Sequence, residues 1–204
     1  MNILHIDCST RPMSQSRQLS AGLVAALLRA RPDGGVVRRD LGREPVPHTD
    51  PAFSQAVTSR AALAAGIANG AVSASEALIV EVEAADILVI GTPMHNFGVP
   101  SVLKAWIDQI VRVGRTFTPV PTGKVGLLKD RPVFVCIASG GYFSGDLGNQ
   151  PDFLTPYLTA VLGCVGLTDI RYLPIQGTAF RDEAEVAAAR EALLDGLDAS
   201  TLAA

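Results

Sequence analysis

The stretch Asp86-Ile87-Leu88-Val89-Ile90-Gly91-Thr92-Pro93-Met94-His95-Asn96-Phe97-Gly98-Val99-Pro100 decides the fold. Its first part, Asp86 to Gly91, is apolar without a break between an acid and a glycine. That is how a strand covered on both faces reads in a parallel sheet with helices above and below it. A loop, Thr92 to Gly98, follows, and Pro100 then opens a helix that puts Leu103, Trp106, Ile107 and Ile110 on one face. Proline suits a first helical turn, where its missing N–H has no bond to lose.

The same strand, loop and helix step recurs in both directions. Upstream, Asn2 to Asp7 is a short apolar strand, and Ser16 to Arg31 is a helix with Leu19, Leu23 and Leu27 on one face. Gly35 to Leu41 reads as a second strand. A connection through Pro45, Pro47 and Pro51 leads into Ala-rich helices that run to about Ala84. Downstream, Arg115 to Leu128 carries Pro119, Pro121 and Gly123 and is expected to make a β excursion beyond the sheet. Arg131 to Ser139 is a buried strand, Gly140 to Gln150 a loop, and Pro151 to Val165 a helix packed through Leu158, Val161, Leu162 and Val165. Thr168 to Pro174 is the last strand and Asp182 to Leu197 a charged, Ala-rich helix. Five strands alternating with helices predict an α/β fold with a parallel sheet covered on both faces.

At 204 residues and 48% hydrophobic the chain can bury a full core, and nothing in it reads as a second domain, so one domain is expected over 1–204. Charged residues are only 18% of the chain, which leaves more apolar surface than a small monomer usually shows and predicts an oligomer. The net charge is -3 and the basic residues form no stripe, so nucleic acid is not an expected partner. Met1 to Asp7 has no basic n-region and ends at an acid, unlike a signal peptide. Glu76, Glu81, Glu83 and Asp86 interrupt the apolar runs long before the ~18 residues of a membrane span. A cytoplasmic protein without a membrane partner is therefore expected. Cys8, Cys136 and Cys164 are odd in number and far apart, which predicts neither disulfides nor a metal site.

In open α/β sheets ligands bind beyond the carboxyl ends of the strands, where the strand order reverses. Three loops should therefore carry the site: Cys8 to Ser16, Thr92 to Phe97 and Ser139 to Ser144. The first sets Ser9, Thr10, Ser14 and Ser16 ahead of a helix, where hydroxyls, free amides and the helix dipole all favour an anion. It contains neither GxGxxG nor GxxxxGK[ST], so a phosphomonoester such as that of FMN fits it better than a dinucleotide or nucleoside triphosphate. Ser14 or Ser16 would equally serve as a simple helix cap. The proline-bounded second loop can present backbone donors and an apolar wall to a flat heterocycle, although Pro and Asn are also ordinary turn residues. In the third, Gly140 and Gly141 let the backbone approach a ligand closely.

The run Pro93-Met94-His95-Asn96-Phe97, continuing through Pro100 to Leu103-Lys104, resembles the PMxNF signature of the FMN-dependent NADH-azoreductase and NADH:quinone oxidoreductase family. Thr155-Pro156-Tyr157-Leu158 through Leu162-Gly163 to Gly166-Leu167-Thr168-Asp169 extends the likeness over nearly the whole chain. The resemblance implies a flavodoxin-like doubly wound five-stranded sheet in the order 2-1-3-4-5. It also implies FMN as cofactor, NADH (or NADPH) as electron donor, a quinone or azo compound as acceptor in a ping-pong scheme, and a homodimer with the pocket at its interface. Ser9, Ser14, Gln15 and Ser16 would bind the FMN phosphate. Met94, His95, Asn96, Phe97, Ser139, Gly140 and Gly141 would hold the isoalloxazine, and Phe97 and Tyr142 would line the substrate pocket. His95 stands where relatives often carry tyrosine and is the one titratable candidate for supplying a proton.

Two rival readings stay open. One is a flavodoxin-type electron carrier, which a charge of only -3 disfavours. The other is an NAD(P)H:FMN reductase that releases its reduced flavin. Bland roles are expected elsewhere: His5 as a satisfied core residue, Trp106 as helix packing or a dimer contact, Cys8 as an unactivated thiol, and Arg38 and Arg39 on solvated strand ends.

Overall fold

The computed structural model describes residues 1–197; the remainder of the expected 1–204 domain, residues 198–204, lies outside the described residues. In chain order, β1 (Asn2–Asp7) is followed by α1 (Gln15–Ala30), β2 (Gly35–Asp40), and the helices α2 (Pro51–Ala56), α3 (Arg60–Ala68) and α4 (Ser73–Ala84). Next come β3 (Ile87–Pro93), α5 (Ser101–Ile110), β4 (Phe117–Val120), β5 (Gly123–Gly126), β6 (Val133–Ala138), α6 (Thr155–Val165), β7 (Ile170–Ile175) and α7 (Glu183–Asp195). The main sheet is ordered β2-β1-β3-β6-β7 with every pairing parallel, which is 2-1-3-4-5 when its five strands are counted along the chain. The excursion at 115–128 forms the separate antiparallel pair β4–β5.

Strand alternation divides the core. Ile87 and Val89 of β3 face α1 and α7, in a cluster with Leu19, Leu23, Leu27, Phe134 and Val186. Leu88 and Ile90 face the other way, against Ile79 and Val82 of α4, Leu103, Trp106 and Ile110 of α5, and Leu158 and Leu162 of α6. All four strand residues are fully buried, as the unbroken apolar run requires. Trp106 is fully buried too and serves as helix packing, not as a dimer contact. Among the described residues, no single helix is long and apolar enough to cross a membrane.

Several boundaries move. β3 continues through Thr92 and Pro93, which the sequence reading gives to the loop, because both still pair with Ile137 and Ala138. α6 starts at Thr155, since the Asp152 carboxylate accepts from the Leu154 and Thr155 amides and turns the chain there. Arg38 and Arg39 fall in the last half of an exposed edge strand, as expected, but both are also ion-paired. They lie within β2, where Arg38 donates to the buried Asp7 carboxylate (Nη2 at 2.6 Å) and Arg39 pairs with Glu81 of α4.

Candidate functional site

β1 and β3 are neighbours whose chains leave in opposite directions, one to α1 and β2, the other to α5 and β6. Their carboxyl ends therefore splay apart, which is where a doubly wound sheet opens a crevice. A cleft of about 610 Å³ lies there. It is walled by Ser9, Ser14, Gln15 and Ser16 after β1, by Pro93, Met94 and His95 at the end of β3, by Ala138 at the end of β6 and Gly140 after it, and by Thr178, Ala179, Arg181, Asp182 and Glu183 after β7. That volume is within the ~300–1,000 Å³ of ordinary ligand pockets.

The first wall is a helix start. Ser14 is the N-cap of α1, with its backbone extended and its hydroxyl accepting from the Arg17 amide at 3.4 Å. The amides of Gln15 and Ser16 stand at the head of the helix, with no carbonyl one turn back to accept them. The Ser14 and Ser16 hydroxyls lie 3.4 Å apart, and the Ser9 hydroxyl takes the Arg11 amide at 3.2 Å. Gln15 is tied to α7, its side-chain oxygen accepting from Arg190 at 2.8 Å.

Behind this wall lies a charged cluster. Arg17 donates through Nε (2.9 Å) and Nη2 (2.6 Å) to the Ser9 carbonyl and pairs with Asp40. Asp40 is held below the usual carboxylate range by its hydrogen bond from Arg17, and Arg17 is raised by the same bond. Asp7, fully buried, accepts from Arg38 and lies 3.3 Å from Arg17. His5 contacts the Ser20 hydroxyl at 2.9 Å, and burial lowers its pKa, so it is the satisfied core histidine expected of it. Cys8 is buried and its thiol is pushed well above its ordinary pKa, chiefly by desolvation, so it is not activated.

The second wall ends in a tight turn. His95 and Gly98 exchange both backbone hydrogen bonds at 3.0 Å, and between them Asn96 (φ 48°) and Phe97 (φ 70°) are both left-handed. This is the primed two-residue turn, which Asn accepts readily and Phe does not. Met94 and His95 line the cleft, whereas Asn96 and Phe97 in the turn do not. Phe97 is exposed beside Phe153, whose amide bonds the Phe97 carbonyl at 3.0 Å.

On the third wall Gly140 lines the cleft, while Ser139 lies behind it and Gly141 is packed on Gln150, whose Oε1 is 2.5 Å from where a Cβ would sit. Gln150 donates to Ser139 Oγ at 2.9 Å and to Met94 Sδ at 3.2 Å, which joins the second and third walls. Tyr142 stands outside the cleft, stacked on Phe180 at 6.3 Å. The structure thus gathers Ser9, Ser14, Gln15, Ser16, Met94, His95 and Gly140 around one space, and sets Asn96, Phe97, Ser139, Gly141 and Tyr142 at its edge or behind it.

The sequence reading missed the fourth wall. Thr178 and Ala179 donate backbone hydrogen bonds to Ser139 and Gly140 (3.1 and 3.2 Å), folding the loop after β7 over the cleft. The strand-end rule that selected the other three loops applies equally to this one, and Gly177-Thr178 was the available signal.

A family model described as flavodoxin-like fold matches residues 1–197. The chain belongs to this flavodoxin-like family. It is 45% identical over 192 residues to a Pseudomonas fluorescens protein named FMN-dependent NADH:quinone oxidoreductase 4, covering 94% of this chain and 91% of the relative. It is 47% identical over 178 residues to FMN-dependent NADH:quinone oxidoreductase 2 of Cupriavidus pinatubonensis, covering 87% and 86%. Among solved structures it superposes on the azoreductase of Bacillus anthracis str. Sterne with a TM-score of 0.82 at 26% identity, over 96% of this chain and 97% of that one. The FMN complex of an FMN-dependent NADH-azoreductase from Bacillus anthracis str. Ames Ancestor gives 0.79 at 25% identity, over 95% and 96%.

Proposed function

We propose that this flavodoxin-like protein is an FMN-dependent oxidoreductase that takes hydride from NADH and passes electrons to quinones or azo compounds. The observation that carries the reading is the cleft at the β1/β3 crevice, with the serines of the α1 helix start on one wall and Pro93, Met94, His95, Ala138 and Gly140 on the others. The donor set suits FMN. Neutral hydroxyls and amides on a positive helix end fit a phosphomonoester, and Pro93, Met94, His95, Ala138 and Gly140 line the rest of the cleft, with Met94 as an apolar contact for the ring. FMN, when bound, supplies the electron-carrying ring. The chain's own residues hold the phosphate at Ser9, Ser14 and Ser16 and keep the cleft open through the Gln150 bridge between Met94 and Ser139. The names of the quinone oxidoreductase and azoreductase relatives support the same assignment.

Residues 1–204 act as one flavin-binding domain under this reading, in the cytoplasm, where reduced nicotinamide is available. The active form is a homodimer: Met13 lines the cleft and is exposed, and Phe97 and Phe180 are exposed within two residues of its lining, with Phe153 bonded to Phe97, apolar surface that a second copy would cover. Light scattering should give twice the 21.3 kDa chain mass.

NADH and the acceptor bind in turn on the one open side. Purified protein should show a flavin absorbance band that NADH alone bleaches, and rates at several fixed acceptor concentrations should give parallel double-reciprocal lines. Intersecting lines would mean that both substrates bind together, and protein that neither retains nor takes up FMN would overturn the assignment.

A further inference from the structure

We propose that Arg17, braced by Asp40, is a positioning residue for the cofactor phosphate: it holds the Ser9–Thr10 peptide in the one orientation that lets this loop receive an anion. The inference rests on the flavin reading above. Arg17 follows the serines of the helix start, yet its side chain turns away from the cleft into the protein and is almost fully buried. There it gives two charged hydrogen bonds, at 2.9 and 2.6 Å, to a single main-chain oxygen, the Ser9 carbonyl. Gly42 closes on the same oxygen from the end of β2: a Cβ there would sit 2.0 Å from it and 2.8 Å from Arg17 Nη2. The carbonyl is thus fixed from two sides.

A trans peptide points its N–H opposite to its C=O, so anchoring the Ser9 oxygen inward turns the Thr10 amide away from the guanidinium. A carbonyl oxygen swung into the cleft would instead repel a phosphate. The charged donors also polarise the peptide and strengthen its N–H as a donor. Direct attraction of the anion is a minor part of the effect. Arg17 is paired with Asp40 (Nη1 to Oδ2, 2.8 Å) and lies 3.3 Å from Asp7, and Arg38 and Arg43 also face these two carboxylates, so the Arg17 charge is matched within the cluster. What the cluster supplies to the site is geometry.

The test separates positioning from folding. FMN and riboflavin affinities, by fluorescence titration, and melting temperatures are measured for the wild type, Arg17→Met, Arg17→Met with Asp40→Asn, and Gly42→Ala. Arg17→Met should lose stability, because it strands buried carboxylates, and should raise the FMN Kd by about tenfold or more, the scale of a charge-assisted hydrogen bond. Adding Asp40→Asn should recover melting temperature without recovering FMN affinity. Gly42→Ala, which displaces the carbonyl with every charge in place, should weaken FMN as well. Riboflavin, which lacks the phosphate, should bind all four proteins alike. A double variant that regains wild-type FMN affinity, or FMN and riboflavin weakened equally, would overturn the proposal by making the cluster a fold element only. Failure of the flavin reading would show separately, as a wild type that binds neither flavin.

Discussion

Ser14→Asp should separate helix capping from phosphate binding at one position. Ser14 caps α1 through a long 3.4 Å contact to the Arg17 amide, so little cap energy is at stake in the native protein. Aspartate is as good an N-cap as serine, and its charge at the positive helix end adds ~0.3–1 kcal/mol, so the variant should melt at or above the wild-type temperature. The same carboxylate would stand where the hypothesis puts a phosphate. Two unit charges about 4 Å apart repel by ~4 kcal/mol at an effective dielectric of 20, and a phosphomonoester carries more than one charge. At ~1.4 kcal/mol per decade, FMN affinity should fall at least about a thousandfold. Riboflavin has no phosphate and should bind as before. Fluorescence titration of both flavins at one fixed ionic strength, beside thermal melts, reads all three outcomes. FMN affinity within a few fold of wild type in a folded Ser14→Asp protein would remove the helix start from the site, and a parallel loss of riboflavin would mean that the cleft itself had collapsed.

Phe97→Gly should raise the melting temperature, because the left-handed φ of 70° costs a residue with a Cβ ~1 kcal/mol or more and glycine almost nothing; if the exposed ring serves the acceptor, turnover should fall while FMN affinity stays the same. Gly126→Ala should destabilise the protein by several times the usual ~1 kcal/mol of a point change, since its Cβ would lie 2.1 Å from the Gly166 amide nitrogen where β5 meets the end of α6, and a chemical denaturation curve would show it. His5 has a lowered pKa, chiefly from burial and in part from Arg38 and Arg17, against the raising influence of Asp7 and Asp40. The unfolded chain therefore takes up the His5 proton first, so its contribution to stability is present above pH ~6.5 and is lost as the pH falls below that value towards the lowered native pKa. His5→Gln should flatten the decline in melting temperature across that window, and an unchanged slope would assign the decline to other groups.

How much of this was legible in the sequence depended on whether a residue's role was set by its own segment. Ile87 to Ile90 and the leucines of α1 declare their burial by local periodicity, the bounds of α1, α5 and α7 shift by one or two residues, and α6 starts later than expected because Asp152 turns the chain from outside the apolar pattern. β2 was harder. Gly35 to Asp40 is largely exposed as an edge strand, and its arginines are read correctly only once the register sets Arg38 beside His5 and Asp40 beside Asp7. The hydroxyl-bearing wall of the cleft could be read because Ser9, Ser14 and Ser16 fall within one short segment. The guanidinium that braces it could not, because Arg17, Asp40 and Gly42 meet only after β1 and β2 have paired.

The same distinction explains which residues of the Pro93 to Phe97 motif face the cleft. The sequence presents Met94, His95, Asn96 and Phe97 as four adjacent candidates, but a primed turn reverses the chain between His95 and Gly98, so the first two line the cleft and the next two leave it. A left-handed phenylalanine is a costly way to make that turn, and glycine would do it without strain. Its ring is exposed, and its carbonyl accepts from the Phe153 amide at 3.0 Å. The turn itself does not require a left-handed phenylalanine, so Phe97→Gly should make a more stable protein, and a fall in turnover at unchanged FMN affinity would assign the strain to the exposed ring.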